Sequence, residues 1–198
     1  MSDTIQKYSK PAIILHWVTG LMILGMFGLG WYMADLPKEM PKTATMDLFD
    51  LGVYTMQFAE AITPRTFYFN LHKSLGVTVF LLLLLRIYIR VKQSPPPFPT
   101  SMKEWEKKLA DIVHKALYVL TMAVPLSGIT MAIYSKYGIK WFGLSLVAGL
   151  DNPELRDIFK ETHEVIGAIL ITLIVLHIVA AIKHKVIDKD NVMQRMSL

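Results

Sequence analysis

Six histidines stand in a chain with no cysteine, and four of them, His16, His72, His163 and His177, lie inside or just within long apolar runs. Ionisable side chains at such depth are costly and mark proton paths, ion paths or cofactor sites. A neutral imidazole offers one lone pair and one N–H, so it binds a metal, relays a proton or holds a hydrogen bond. The absence of cysteine removes disulfides, iron–sulfur clusters, thiolate zinc sites and covalent c-type haem attachment.

Four elements must position these imidazoles. Of the 198 residues, 53% are hydrophobic and 19% charged, more apolar than the roughly 45–50% of soluble domains. The apolar residues gather into runs at about 11–34, 71–91, 112–134 and 162–182, each near the roughly 20 residues needed to cross hydrocarbon. The expected fold is a single all-α integral membrane domain over 1–198: four transmembrane helices in a bundle, outer loops 35–70 and 135–161, and an inner loop 92–111. The first run is too long for a cleaved signal and has no Ala-x-Ala site after it. Residues 47–62 and 153–160, mixed apolar and acidic, are each expected to form a short surface helix. Segments 1–11, 86–115 and 183–198 share one side and carry thirteen Lys and Arg against eight on the other, so both termini are expected in the cytoplasm. The net charge of +5 therefore reports orientation, and no nucleic-acid motif or internal repeat is visible. Trp17, Trp31, Tyr32, Trp141 and Phe142 read as interface anchors.

Helical geometry pairs the histidines. His163 and His177 are fourteen residues apart, which returns to within about 40° of one face and rises about 21 Å. The first and fourth spans run antiparallel, so His16 lies at nearly the level of His177. By the same reasoning His72 and His163 share a level near the outer boundary. Two such pairs suit low-spin iron with nitrogen at both axial positions, which is b-type haem, whereas zinc takes four ligands. Gly20, Gly76 and Gly167 follow His16, His72 and His163 by four residues, and Ala181 follows His177. Position i+4 lies on the same face one turn on, and glycine there leaves room for a flat macrocycle. His114 and His184 are followed instead by Tyr118 and Asp188. Hydrogen-bonded structural histidines, small-residue helix packing and a proton relay in a transporter are the rival uses of the same residues.

The ordered set Lys7-Tyr8-Ser9, His16-Trp17, Leu71-His72-Lys73-Ser74-Leu75-Gly76, Arg86 with Arg90, the Pro-rich stretch 95–99, and His114 with Tyr118 and Pro125-Leu126-Ser127-Gly128 resembles the bacterial cytochrome b561 family. Trp141-Phe142-Gly143, His163-Glu164, His177, His184, Asp188-Lys189-Asp190-Asn191 and Arg195-Met196 extend the resemblance over nearly the whole chain. It implies an inner-membrane di-haem protein that includes superoxide oxidase among its kind, with one haem b on His16 and His177 and the other on His72 and His163. It also implies ubiquinone chemistry at the inner side, with His184 at the quinone site. By spacing, His184 lies seven residues beyond His177, about 10 Å on and turned by about 20°. Lys73 and Arg86 are candidate contacts for the anionic haem propionates, as are Lys136 or Lys140 outside and Arg90 inside.

The expected activity is one-electron entry at the outer haem from superoxide or another periplasmic donor and reduction of ubiquinone at the cytoplasmic side. The outer segment 35–70 departs from that pattern. It sets Lys38, Lys42 and Arg65 against Asp35, Glu39, Asp47, Asp50 and Glu60, a net of minus two, and looks long for the family. The alternatives are an electron-transfer subunit docking a periplasmic redox protein and a non-redox proton-coupled transporter.

Overall fold

A computed structural model describes residues 6–198, and four long helices dominate it. They are α1 (Lys10–Asp35), α2 (Pro64–Lys92), α3 (Glu104–Tyr134) and α4 (Pro153–Lys183). All four are long and apolar enough to cross a membrane. Even the shortest, at 26 residues, spans about 39 Å against roughly 30 Å of hydrocarbon.

Proline in the first turn starts α1, α2 and α4, where its missing N–H costs nothing. The Thr63 hydroxyl accepts from Thr66 N at 3.1 Å, Asn152 Oδ1 accepts from Leu155 N at 3.1 Å, and Glu106 Oε2 accepts from Lys103 N at 3.1 Å. These caps let α2, α3 and α4 begin seven to nine residues ahead of their apolar runs. Residues 153–160 are thus the opening turns of α4 and not a separate surface helix.

α1 packs on α2, α2 on α3, and α3 on α4. Ile23, Val79, Leu83 and Leu170 make the apolar centre, with Phe27, Leu117 and Val124 against it. Polar and apolar residues are inverted relative to a water-soluble bundle. Thr19 is 0% exposed and Ser74 3%, while Leu21, Trp31 and Val119 are about two-thirds exposed on the outer faces. Lipid is the solvent that such a surface fits.

Two small hairpins sit at the end of the bundle where α1 finishes and α2 starts. Strands β1 (Thr43–Asp47) and β2 (Thr55–Ile62) pair antiparallel, with Met46 opposite Met56. The expectation of a helix over 47–62 is corrected here. Met56 and Phe58 alternate toward the cluster of Leu29, Met46 and Tyr68, and that period of two is a strand's. The connection carries Phe49, Asp50 and Gly52 at positive φ, which no helix accepts, and Tyr68 Oη accepts from Phe49 N at 2.7 Å. Strands β3 (Ile139–Trp141) and β4 (Leu144–Val147) form the second hairpin. Gly138, at φ 61°, enters it where any Cβ would collide with the Val147 carbonyl.

At the opposite end α4 runs on into a π turn, His184–Asp188, and the tail folds back over the start of α1. The buried Arg195 guanidinium donates to the Pro96 and Pro97 carbonyls at 2.5 and 2.7 Å, while its own carbonyl accepts from Tyr8 N at 3.1 Å. One residue so joins the Pro-rich turn, the tail and the N-terminal segment.

Candidate functional site

The bundle brings the four buried-run histidines together as two pairs. The rings of His16 on α1 and His177 on α4 have centroids 6.3 Å apart with planes at 73°, and those of His72 on α2 and His163 on α4 are 6.4 Å apart at 86°. A metal–imidazole bond of about 2.0 Å on each side, plus about 1 Å from each nitrogen to its ring centre, places two imidazoles on one iron roughly 6 Å apart. A direct N–H···N bond would draw the rings closer by about 1 Å. Both separations therefore fit a metal gripped from two sides. His114 of α3 lies 5.4 Å from His177 at 70°, inside that spacing, and so borders the pair.

The second contacts of each ring differ. His163 Nδ1 donates to the Val124 carbonyl at 2.9 Å and lies 3.1 Å from Ser127 Oγ. That fixes the ring proton on Nδ1 and leaves the Nε2 lone pair for a metal. Gly128, one residue beyond Ser127, makes the fit possible, since a Cβ there would stand 3.0 Å from His163 Cε1. At Gly30 of α1 a Cβ would stand 3.5 Å from His72 Cε1, an ordinary contact, and among the described residues His72 Nδ1 is buried with no partner. The expectation for Gly20, Gly76 and Gly167 concerns room for a macrocycle along the histidines' own helices, a role apart from admitting a neighbour's ring. Of those, Gly20 borders open space, and Gly76 and Gly167 face the side-chain ends of Met26 and Phe27 at 3.7 Å. The glycines closest to the rings come from neighbouring helices, which helical spacing alone does not reveal. Within the Pro125-Leu126-Ser127-Gly128 stretch lay the available clue.

Arg86 and Lys73 are already engaged. Arg86 Nη2 lies 2.8 Å from His16 Nδ1, Nη1 donates to Thr19 Oγ1 at 3.1 Å, and the guanidinium stands 5.5 Å from the Tyr118 ring centre. Arginine only donates, so His16 Nδ1 accepts in this arrangement. Lys73 Nζ donates to the Gly138 carbonyl at 3.1 Å. Each cation keeps unused N–H groups. Next to Lys73, Ser74 Oγ accepts from Phe142 N at 3.0 Å, and Trp141 Nε1 donates to Thr78 Oγ1 at 3.1 Å. These bonds fasten the second hairpin over the His72–His163 end.

His184 is buried at the end of α4. Its Nδ1 lies 2.7 Å from Asp190 Oδ2 and 3.1 Å from Asp188 Oδ2. Lys183 joins Asp188 at 2.6 Å and Glu106 at 3.0 Å, so the imidazole sits in a carboxylate network with Nε2 as its remaining nitrogen. The partners Asp188 and Asp190 lie in the C-terminal tail, but spacing does not single them out, because the chain folds back after the π turn.

Residues 7–197 match the profile of prokaryotic cytochrome b561. The chain belongs to this family. It is 28% identical to cytochrome b561 homolog 1 of Escherichia coli (strain K12), covering 97% of each chain. Against cytochrome b561 homolog 2 of the same organism it is 30% identical, over 98% of this chain and 93% of that one. The probable superoxide oxidase CybB of Yersinia pestis is 25% identical over 96% of both. As a cytochrome b561 the chain is a multi-pass inner-membrane protein of electron transfer through b-type haem.

Proposed function

We propose that this cytochrome b561 holds two b-type haems, one between His16 and His177 and one between His72 and His163, and passes electrons from superoxide at the periplasmic side to ubiquinone at the cytoplasmic side. The observation that carries it is the pair of ring separations, 6.3 and 6.4 Å, at the two ends of one bundle. When bound, haem supplies reversible one-electron redox chemistry that the side chains lack. His163 is oriented for ligation by Val124 and Ser127, whereas His16, whose Nδ1 accepts from Arg86, offers a lone pair at Nε2 only once Arg86 releases Nδ1 and the ring proton sits there. The hairpin tied to Ser74 and Thr78 shields the outer pair from water.

For quinone, His184 Nε2 is the nitrogen left to meet a carbonyl oxygen while Asp190 holds Nδ1 from the other side. Asp188 and Lys183 continue the network, which gives a route for protons toward that ring.

Superoxide as donor is supported by the name of the CybB relative and by local charge. Lys73 and Lys136 approach the same Tyr137 ring, at 5.8 and 5.0 Å from its centre, beside the outer pair. Cations there raise the arrival rate of a small anion. A second reading, docking of a periplasmic redox protein, has its own support: the first hairpin is net acidic and exposes Leu51, Val53 and Tyr54 at its tip.

The test is spectroscopic. Purified protein should contain two haems b by pyridine haemochromogen. Replacement of His16 or His177 should remove one, and replacement of His72 or His163 the other. A protein without haem sinks the proposal. Failure of superoxide to reduce haem-loaded protein faster than its spontaneous decay removes that donor and leaves the docking reading.

A further inference from the structure

A cavity of about 500 Å³ opens between the start of α1, the end of α2 and the tail, a size typical of small-ligand sites. Lys7, Arg86 and Arg90 line it, and among the described residues no aspartate or glutamate does. Lys7 Nζ points to the carbonyl oxygen of Leu198 at 3.4 Å. The two guanidiniums, one helical turn apart on α2, take part in no ion pair among the described residues. Among the described residues Arg90 Nη1 is buried with no hydrogen-bond partner. Arg195, on the tail beside this cavity, shows the contrast, because its Nη2 is bonded to two carbonyls.

Burying a cationic donor without an acceptor is strongly unfavourable, and two neighbouring guanidiniums repel one another. A neutral carbonyl would satisfy the hydrogen but leave both charges unopposed. We infer that the cavity is an oxyanion site in which Arg90 and Arg86 bind a carboxylate or phosphate group. Two sources carry that chemistry at this place: the headgroup of an anionic phospholipid at the bilayer interface, and a propionate of a haem held by His16 and His177. The second source rests on the proposed haem arrangement, and the first does not. Arg90 Nη1 supplies the unused donor and Tyr8 and Gln93 border the site.

Full-length haem-loaded protein and its Arg90→Gln and Arg90→Lys variants would be compared by two measurements. Native mass spectrometry with phosphatidylglycerol or phosphatidylcholine reads the lipid source. Potentiometric titration of the haems reads the propionate source. Loss of one charge-assisted contact predicts about tenfold weaker retention of phosphatidylglycerol in Arg90→Gln, with phosphatidylcholine unaffected, if lipid is the occupant. If a propionate is, the potential of one haem falls and the other stays, since removing a cation favours the oxidised form. Arg90→Lys, which keeps the charge and loses the planar fork, takes an intermediate value in the same reading. The inference is overturned if Arg90→Gln matches the parent in both readings, or, should that variant not fold, if Arg90→Lys does. Should the parent carry no haem, the proposed function fails by itself and the lipid reading still decides this site.

Discussion

Gly128→Ala isolates the placement of His163. A Cβ at residue 128 would lie 3.0 Å from His163 Cε1 and 3.2 Å from Nδ1, where optimal carbon contacts are about 3.5–4.0 Å. The ring must retreat by about half an ångström. It is pinned by Val124 O at 2.9 Å and Ser127 Oγ at 3.1 Å, both within one turn of residue 128, so retreat stretches those bonds. Overpacking of this kind costs about 1–3 kcal/mol, while exchanging glycine for alanine within a helix returns about 1 kcal/mol. The helix gain belongs to the whole fold, and the packing loss falls on one ring. Thermal unfolding should therefore shift little, while one of the two proposed haems is retained about five- to 150-fold less well, from the packing cost of about 1–3 kcal/mol. Gly128→Val should lose that haem outright. Haem stoichiometry by pyridine haemochromogen, with circular dichroism melting on the same samples, measures both quantities. Two haems with unchanged spectra in Gly128→Val would show that His163 is not held as a ligand.

Further tests address other contacts. His184→Ala should slow quinone reduction with haem content unchanged, and Asp190→Asn should do so more weakly; equal rates in steady-state quinol assays would remove His184 from the quinone site. Gly138→Ala, at φ 61° against the Val147 carbonyl, should destabilise the second hairpin by about 1–3 kcal/mol and raise amide exchange over residues 139–147. Thr63→Ala removes the cap on Thr66 N and should lower stability by about 1 kcal/mol in thermal melts. Arg195→Ala leaves the Pro96 and Pro97 carbonyls without their donor and frees the tail, so limited proteolysis should release residues after 190 faster than in the parent.

Composition and periodicity made much of this protein legible. Four apolar runs fix four membrane helices because each must satisfy its backbone internally in lipid. The levels of His16 against His177 and of His72 against His163 followed from helix rise alone, since rise is the same for every residue. Residues 47–62 misled, because a short segment of mixed polarity carries too few periods to separate a strand from a helix, and the positive φ of Phe49 and Asp50 has no sequence signature as strong as glycine's.

Distances between helices belong to tertiary structure. Helical spacing places Gly20, Gly76 and Gly167 on the faces of their own histidines, but which glycine admits a ring from another helix depends on how helices cross, and that geometry chose Gly128 for His163. Arg86 on His16, Lys73 on Gly138, and Asp190 on His184 are likewise contacts between partners set by packing and by the π turn. Sequence thus determined the spans and the depth of each imidazole, which are local properties of a regular helix. Only the assembled bundle decided what stands opposite each ring and which cations remain unpaired, because those depend on side chains that meet across helix interfaces.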